Sequence, residues 1–188
     1  MNCCGCTELI SLPDLPVCTE LNCWGCTALM SLPDLPVCIE LNCDECIALL
    51  SLPDLPVCAI LICGGCTALV SLPDLPMCTD LRCDCCTELI SLPDLPVCIE
   101  LDCRGCTALL SLPDLPVCTE LDCDNLPHLT HITVPDLCDV RCENSPISVY
   151  NNDLYLSYIN DRSNIITSSI HNSNNYEQGI VGIVAGYL

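Results

Sequence analysis

One segment, Ser-Leu-Pro-Asp-Leu-Pro, recurs at residues 11–16, 31–36, 51–56, 71–76, 91–96 and 111–116, with a period of 20 residues and no slip. A short fixed period marks a chain built from equivalent units that stack. No single unit of that size can bury its own apolar face. A second block, Cys-x-x-Leu-x-Cys-x-x-Cys-x-x-Leu, lies between the copies. It reads Cys18, Leu21, Cys23, Cys26, Leu29 in the first full unit and returns from Cys38, Cys58, Cys78 and Cys98.

The array divides into a partial unit at 1–17, full units starting at 18, 38, 58, 78 and 98, and degenerate units starting at 118 and 137. Cys3 and Cys6 fill the slots of Cys23 and Cys26. Leu126 stands where a Cys is expected. The unit at 137 comes one residue early and reads Leu137, Val140, Cys142, Ser145, with Leu137 in the slot of Cys18. After about Ser148 the composition shifts to Asn, Ser, Tyr and Ile, so 149–188 reads as a tail or cap. One more degenerate turn is expected there around Leu154, Leu156 and Ile159.

The repeat is not helical. Pro13 and Pro16 each lack an amide donor and clash with a preceding helical turn. The apolar positions 18, 21, 23, 26 and 29 are spaced 3, 2, 3 and 3, whereas a helical stripe alternates 3 and 4. Leu21, Asn22 and Cys23 alternate as a short strand with one buried face. A residue before proline is held extended, which applies to Leu12 and Leu15. A polyproline II leg repeats every three residues, so both leucines point inward and Asp14 points out. The expected fold is a repeat solenoid: short parallel β-strands on one face, extended polyproline II return legs and little or no α-helix. With 51% hydrophobic residues, 3% aromatic and no Phe, its interior must be thin and regular.

Cys18-x-x-Leu21-x-Cys23-x-x-Cys26 resembles the leucine-rich-repeat core L-x-x-L-x-L-x-x-N/C, with Cys in place of two leucines. The period and Leu-Pro-Asp-Leu-Pro are similar to the LPX-type repeats of bacterial effectors that act inside host cells. Cysteine-rich repeats of this kind also resemble leucine-rich-repeat proteins of giant DNA viruses. The resemblance covers residues 1 to about 148. It implies a parallel sheet on a concave face, protein–protein recognition there, and host cytoplasm as the location. Some of those effectors carry a separate ubiquitin-ligase domain, for which the tail is too short.

The net charge of -21 comes from 25 acidic residues against Arg82, Arg104, Arg141 and Arg162, with no Lys. Phosphate binding needs clustered cations, so nucleic acid and anionic membrane are poor partners. A basic protein surface is the better match. The start of the chain shows no basic n-region or apolar h-region, so an intracellular, reducing compartment is expected, with most of the 23 thiols free.

The cysteines admit a rival reading. Cys23-x-x-Cys26 and Cys43-x-x-Cys46, separated by 16 residues, match a zinc spacing. Against it, Leu126 and Leu137 take cysteine slots, a third Cys per unit goes unused, and the repeat register turns all three slots inward. Free Cys behaves as a small hydrophobe and fits such slots. A redox or catalytic Cys-x-x-Cys is weaker still. Equivalent cysteines in adjacent coils form columns, and strand spacing of about 4.8 Å lies within the disulfide Cα–Cα range of about 4.4–6.8 Å. A second metal candidate is Cys123, His128, His131, Cys138 and Cys142, with Cys138 read as outward. Cys4 and Cys85 fall outside the slots and are expected to be exposed. No cofactor motif and no catalytic set stands out.

If the frame is fixed, specificity lies in strand positions that face away from the core. The candidate binding set is Glu20, Trp24, Glu40, Asp44, Ile60, Ile62, Arg82, Asp84, Glu100, Arg104, Glu120 and Asp124. Aromatic and Arg residues are the usual anchors, which favours Trp24, Arg82 and Arg104. The expected function is a non-enzymatic scaffold that binds a protein partner through this acidic face. The alternatives are a metal-binding array and an expanded repeat with no function of its own.

Overall fold

The computed structural model describes residues 1–146. The 149–188 tail and the further turn around Leu154 lie outside the described residues. The chain winds as a parallel β-solenoid. Its seven strands are β1 (Glu20–Asn22), β2 (Glu40–Asn42), β3 (Ile60–Ile62), β4 (Asp80–Arg82), β5 (Glu100–Asp102), β6 (Glu120–Asp122) and β7 (Asp139–Arg141). They form one sheet in chain order. Every pairing is parallel and in register with the repeat: Leu21 lies beside Leu41, Leu41 beside Leu61, and so on to Val140. No helix occurs among the described residues.

Three-residue strands are short, yet the ladder runs past them. The Cys23 amide donates to the Asn42 carbonyl at 2.8 Å and the Gly25 amide to the Asp44 carbonyl at 2.8 Å. The same two bonds recur up the stack, for example from Cys63 to Arg82 and from Gly65 to Asp84. The coil then turns twice, with Cys26 N–H bonding the Cys23 carbonyl and Leu29 N–H the Cys26 carbonyl. The residue after the exposed strand-end position lies in the left-handed region at Gly25, Glu45, Gly65, Cys85, Gly105, Asn125 and Asn144. Glycine reaches that region without a Cβ clash, which explains the glycines spaced 20 or 40 residues apart at this position.

The core is a stack of equivalent layers. Leu41, Cys43, Cys46, Leu49, Leu55 and Cys58 are buried in one coil, and their counterparts at 61, 63, 66, 69, 75 and 78 in the next. Leu52, Leu72 and Leu92 pack partly buried against it from the return legs, while Asp54 and its equivalents are exposed. The inward leucines and outward aspartate follow from the three-residue repeat of the extended leg.

Two readings of the last unit are corrected. Leu126 is fully buried in its Cys slot as expected, but Leu137 is not in the core: it is 77% exposed. Cys138 takes the slot of Cys118 instead, packs against the core, and is not outward. Its amide bonds the Pro135 carbonyl as the Cys118 amide bonds that of Leu115. The missing residue is the counterpart of Thr119, in the bend before the strand, so Asp139 pairs directly with Glu120. Deleting a bend residue keeps both flanking core positions in register, whereas a deletion before Cys138 would displace one.

Candidate functional site

The sheet face away from the core carries three rows of side chains. The first is Glu20, Glu40, Ile60, Asp80, Glu100, Glu120 and Asp139. The second is Asn22, Asn42, Ile62, Arg82, Asp102, Asp122 and Arg141. The third, just past the strands, is Trp24, Asp44, Gly64, Asp84, Arg104 and Asp124. In-register pairing sets equivalent positions side by side, so each row is a continuous line whose residue type changes along the stack.

The middle row has a structural duty that sequence reasoning missed. The Asn22 side-chain oxygen accepts from the Trp24 amide at 3.1 Å, and Asn42 does the same for Asp44. Asp102 and Asp122 repeat it for Arg104 and Asp124. A short carboxylate or amide reaching two residues on is a turn-forming arrangement. The signal was present in the sequence as Asn or Asp at this position in most coils, read there as surface variation.

The expected anchors Arg82 and Arg104 are occupied by intramolecular ion pairs. Arg82 grips Asp80 with two nitrogens, at 3.1 and 3.2 Å, and lies 3.8 Å from Glu100. Arg104 pairs with Asp102 at 3.1 Å and Asp122 at 3.6 Å, and Arg141 with Glu120 at 3.7 Å. These cations separate carboxylates that the register would otherwise stack. A shallow groove along β3 to β7 is lined by Ile62, Arg82, Asp84, Asp102 and Arg104 among others.

The remaining candidates differ among themselves. Glu20, Glu40, Asp44 and Asp84 have no ion-pair partner among the described residues. Asp44 and Asp84 lean over Gly64 from either side: a Cβ there would lie 2.7 Å from one carboxylate oxygen and 2.5 Å from the other. Burial, then the charges of Asp84 and Glu45, raises the Asp44 pKa, and a hydrogen bond from Trp24 opposes the rise. Burial also raises that of Asp102, against the Arg104 amide and charge. Trp24 is 41% exposed, and Ile60 and Ile62 are half-buried. The Asp124 carboxylate accepts the Glu143 amide of the next coil, so it is tied to the frame. Glu100 and Glu120 stay exposed at the edges of their arginine contacts.

The cysteine slots turn inward, and the thiols of two of the three bond backbone carbonyls. The Cys46 thiol donates to the Cys23 carbonyl of the preceding coil at 3.2 Å, and Cys66 donates to that of Cys43 at 3.1 Å. The thiols of Cys38, Cys58 and Cys98 instead bond a carbonyl two residues on within their own coil, each at 3.2 Å. Among the described residues no group of three or more His, Cys, Asp or Glu is placed to hold a metal ion, and Cys23, Cys26, Cys43 and Cys46 do not form one. The Cys123, His128, His131, Cys138, Cys142 set does not converge either: the His131 ring contacts Thr133 at 3.4 Å, while Cys123 is buried. Cys4 and Cys85 are exposed as expected, and so is Cys6. The chain matches no protein-family model, no curated protein and no solved structure.

Proposed function

We propose that the solenoid is a non-enzymatic scaffold that binds a basic protein partner through the outward sheet face of β1 to β7. The leucine-rich-repeat resemblance and a reducing intracellular setting belong to the same reading. What carries it is the contrast between frame and face. Core slots repeat Leu and Cys coil after coil, while the in-register rows above them carry Trp, Ile, Gly, Arg and carboxylates in no repeating order. On that face the carboxylates exceed the three arginines, and Glu20, Glu40, Asp44 and Asp84 have no cation of their own among the described residues.

Exposed carboxylates steer a cationic partner and set its orientation more than they set raw affinity. The half-buried Ile60 and Ile62 and the Trp24 indole supply apolar contact beside them. The test is affinity capture with the intact chain beside a version carrying Glu20→Lys, Glu40→Lys, Glu100→Lys and Glu120→Lys. Loss of the captured partner is expected. The same partner retained at the same yield rejects the assignment of the face.

A further inference from the structure

From Cys3 to Cys83, each cysteine in the Cys23 slot (here the first slot) meets the cysteine in the Cys26 slot (the second) of the following coil. The Cys26, Cys46, Cys66, Cys86 and Cys106 thiols lie 3.1, 3.2, 3.1, 3.1 and 2.9 Å from the carbonyl oxygens of Cys3, Cys23, Cys43, Cys63 and Cys83. The partner's thiol also acts on each of these sulfurs, raising Cys23, Cys43, Cys63 and Cys83 ahead of burial and Cys3 after it. The pairs share no member, so they use every first- and second-slot cysteine from Cys3 to Cys106 except Cys6, which has no preceding coil, and Cys103.

The stack also contains its own exceptions. Leu126 occupies the second slot opposite Cys103, whose thiol turns to the Asp122 carbonyl at 3.5 Å. Ser145 occupies the slot opposite Cys123, with its hydroxyl on the Cys123 carbonyl at 2.8 Å. The third column, Cys18 to Cys118, points its thiols along its own coils. Cys118 and Cys138, equivalent residues of the last two units, do act on each other, but from Cys3 to Cys106 contact runs diagonally, from residue n to n+23.

We propose that this diagonal ladder is a redox modification site, at which Cys3–Cys26, Cys23–Cys46, Cys43–Cys66, Cys63–Cys86 and Cys83–Cys106 close as disulfides that staple each coil to the next. With a peroxide as oxidant the step balances. One sulfur attacks the O–O bond, which breaks, and becomes a sulfenic acid as the first water leaves. The partner sulfur then attacks it, the S–S bond forms, the S–O bond breaks and the second water leaves. Two thiols lose one electron each and the peroxide gains both. In the Cys23–Cys46 and Cys83–Cys106 pairs the partner's thiol, ahead of burial, raises Cys23 and Cys83 and lowers Cys46 and Cys106, so Cys46 and Cys106 supply the attacking thiolate in those pairs. A reductant reopens the ladder by exchange.

The intact chain, purified in dithiothreitol, is exposed folded to hydrogen peroxide, quenched in acid, alkylated after unfolding and mapped by mass spectrometry without reduction. The expected products are the five diagonal bridges, with Cys103, Cys123 and the Cys18-to-Cys98 column alkylated. A higher thermal midpoint that dithiothreitol reverses should accompany them. Cys106→Leu copies a substitution that the array already holds at Leu126, and it should free Cys83 for alkylation while the other four bridges still form. Bridges between same-slot cysteines from Cys3 to Cys106, equal capture of Cys103, or a folded chain that forms no bridge while the unfolded chain oxidises, each overturns the proposal.

Discussion

The Ser145 hydroxyl donates to the Cys123 carbonyl at 2.8 Å, the bond that the Cys106 thiol makes to the Cys83 carbonyl at 2.9 Å. A serine therefore does the second-slot work of a cysteine. The slot asks for a small side chain with a donor aimed at the coil before it, and sulfur is not essential to that. Cys66→Ser should cost about 1 kcal/mol or less, because its hydroxyl inherits the Cys43 carbonyl. Cys63→Ser should cost about 1–3 kcal/mol, because its partner is a sulfur, a weak acceptor for a buried hydroxyl. Urea unfolding in reductant compares the two, and equal costs would remove the distinction between slots.

The position of the deleted residue in the last unit gives a second contrast. Leu61 is fully buried at the centre of the sheet, and its loss to Ala should cost about 2–5 kcal/mol. Leu137 is 77% exposed and Leu137→Ala should change stability by about 0.5 kcal/mol at most. Cys138→Ala should cost more than Leu137→Ala, since Cys138 is the residue packed on the core. The opposite order in thermal unfolding would restore Leu137 to the slot.

The left-handed position after each strand-end turn is filled by Gly25, Gly65 and Gly105 in some coils and by Glu45 or Cys85 in others. A non-glycine residue there costs about 1–2 kcal/mol. Glu45→Gly should therefore stabilise the array by up to about 1 kcal/mol, after the extra unfolded-state freedom of glycine is subtracted. Gly65→Ala should destabilise by about 1 kcal/mol or more. Its Cβ also meets the Glu45 backbone only at ordinary contact distance, so the effect measured is conformational rather than steric. Chemical denaturation of both variants checks the sign.

Period, prolines and apolar spacing made the solenoid, its strand positions and its inward leucines legible before any coordinates. They did so because a 20-residue unit repeated in register leaves one arrangement that buries Leu21, Leu41 and Leu61 together. The local offset at Cys138 was not legible, since pattern alone cannot say on which side of a slot a residue is missing. Pairing between slots was hidden for a related reason. Columns follow from the repeat, but the diagonal contact of Cys23 with Cys46 depends on how the turn after Cys43 folds back. On the outward face the sequence identified which residues face away from the core. It did not show that Arg82 and Arg104 are held by Asp80 and Asp102, or that Asn22 and Asn42 cap turns.

The buried thiols set the alkaline limit of the fold. Burial raises Cys78 to about 11 and Cys58 and Cys98 to about 12, above the ordinary thiol value of 9.0. Below 9 both folded and unfolded chains hold these protons, and the contribution is complete. As pH rises through 9 the unfolded chain releases protons that the folded chain keeps. Stability then falls steadily until the folded thiols ionise near 11 to 12. Asp44 and Asp102 act in the same sense at the acid end. Their carboxyls are raised above 3.8, so their favourable contribution is present below that value and lost as pH rises through the raised one. Mild acid also relieves the net charge of -21. The thermal midpoint in reductant should therefore be at least as high at pH 5 as at pH 7, and should fall sharply between pH 9 and 11. A midpoint flat across that alkaline window would mean the interior thiols ionise as readily folded as unfolded.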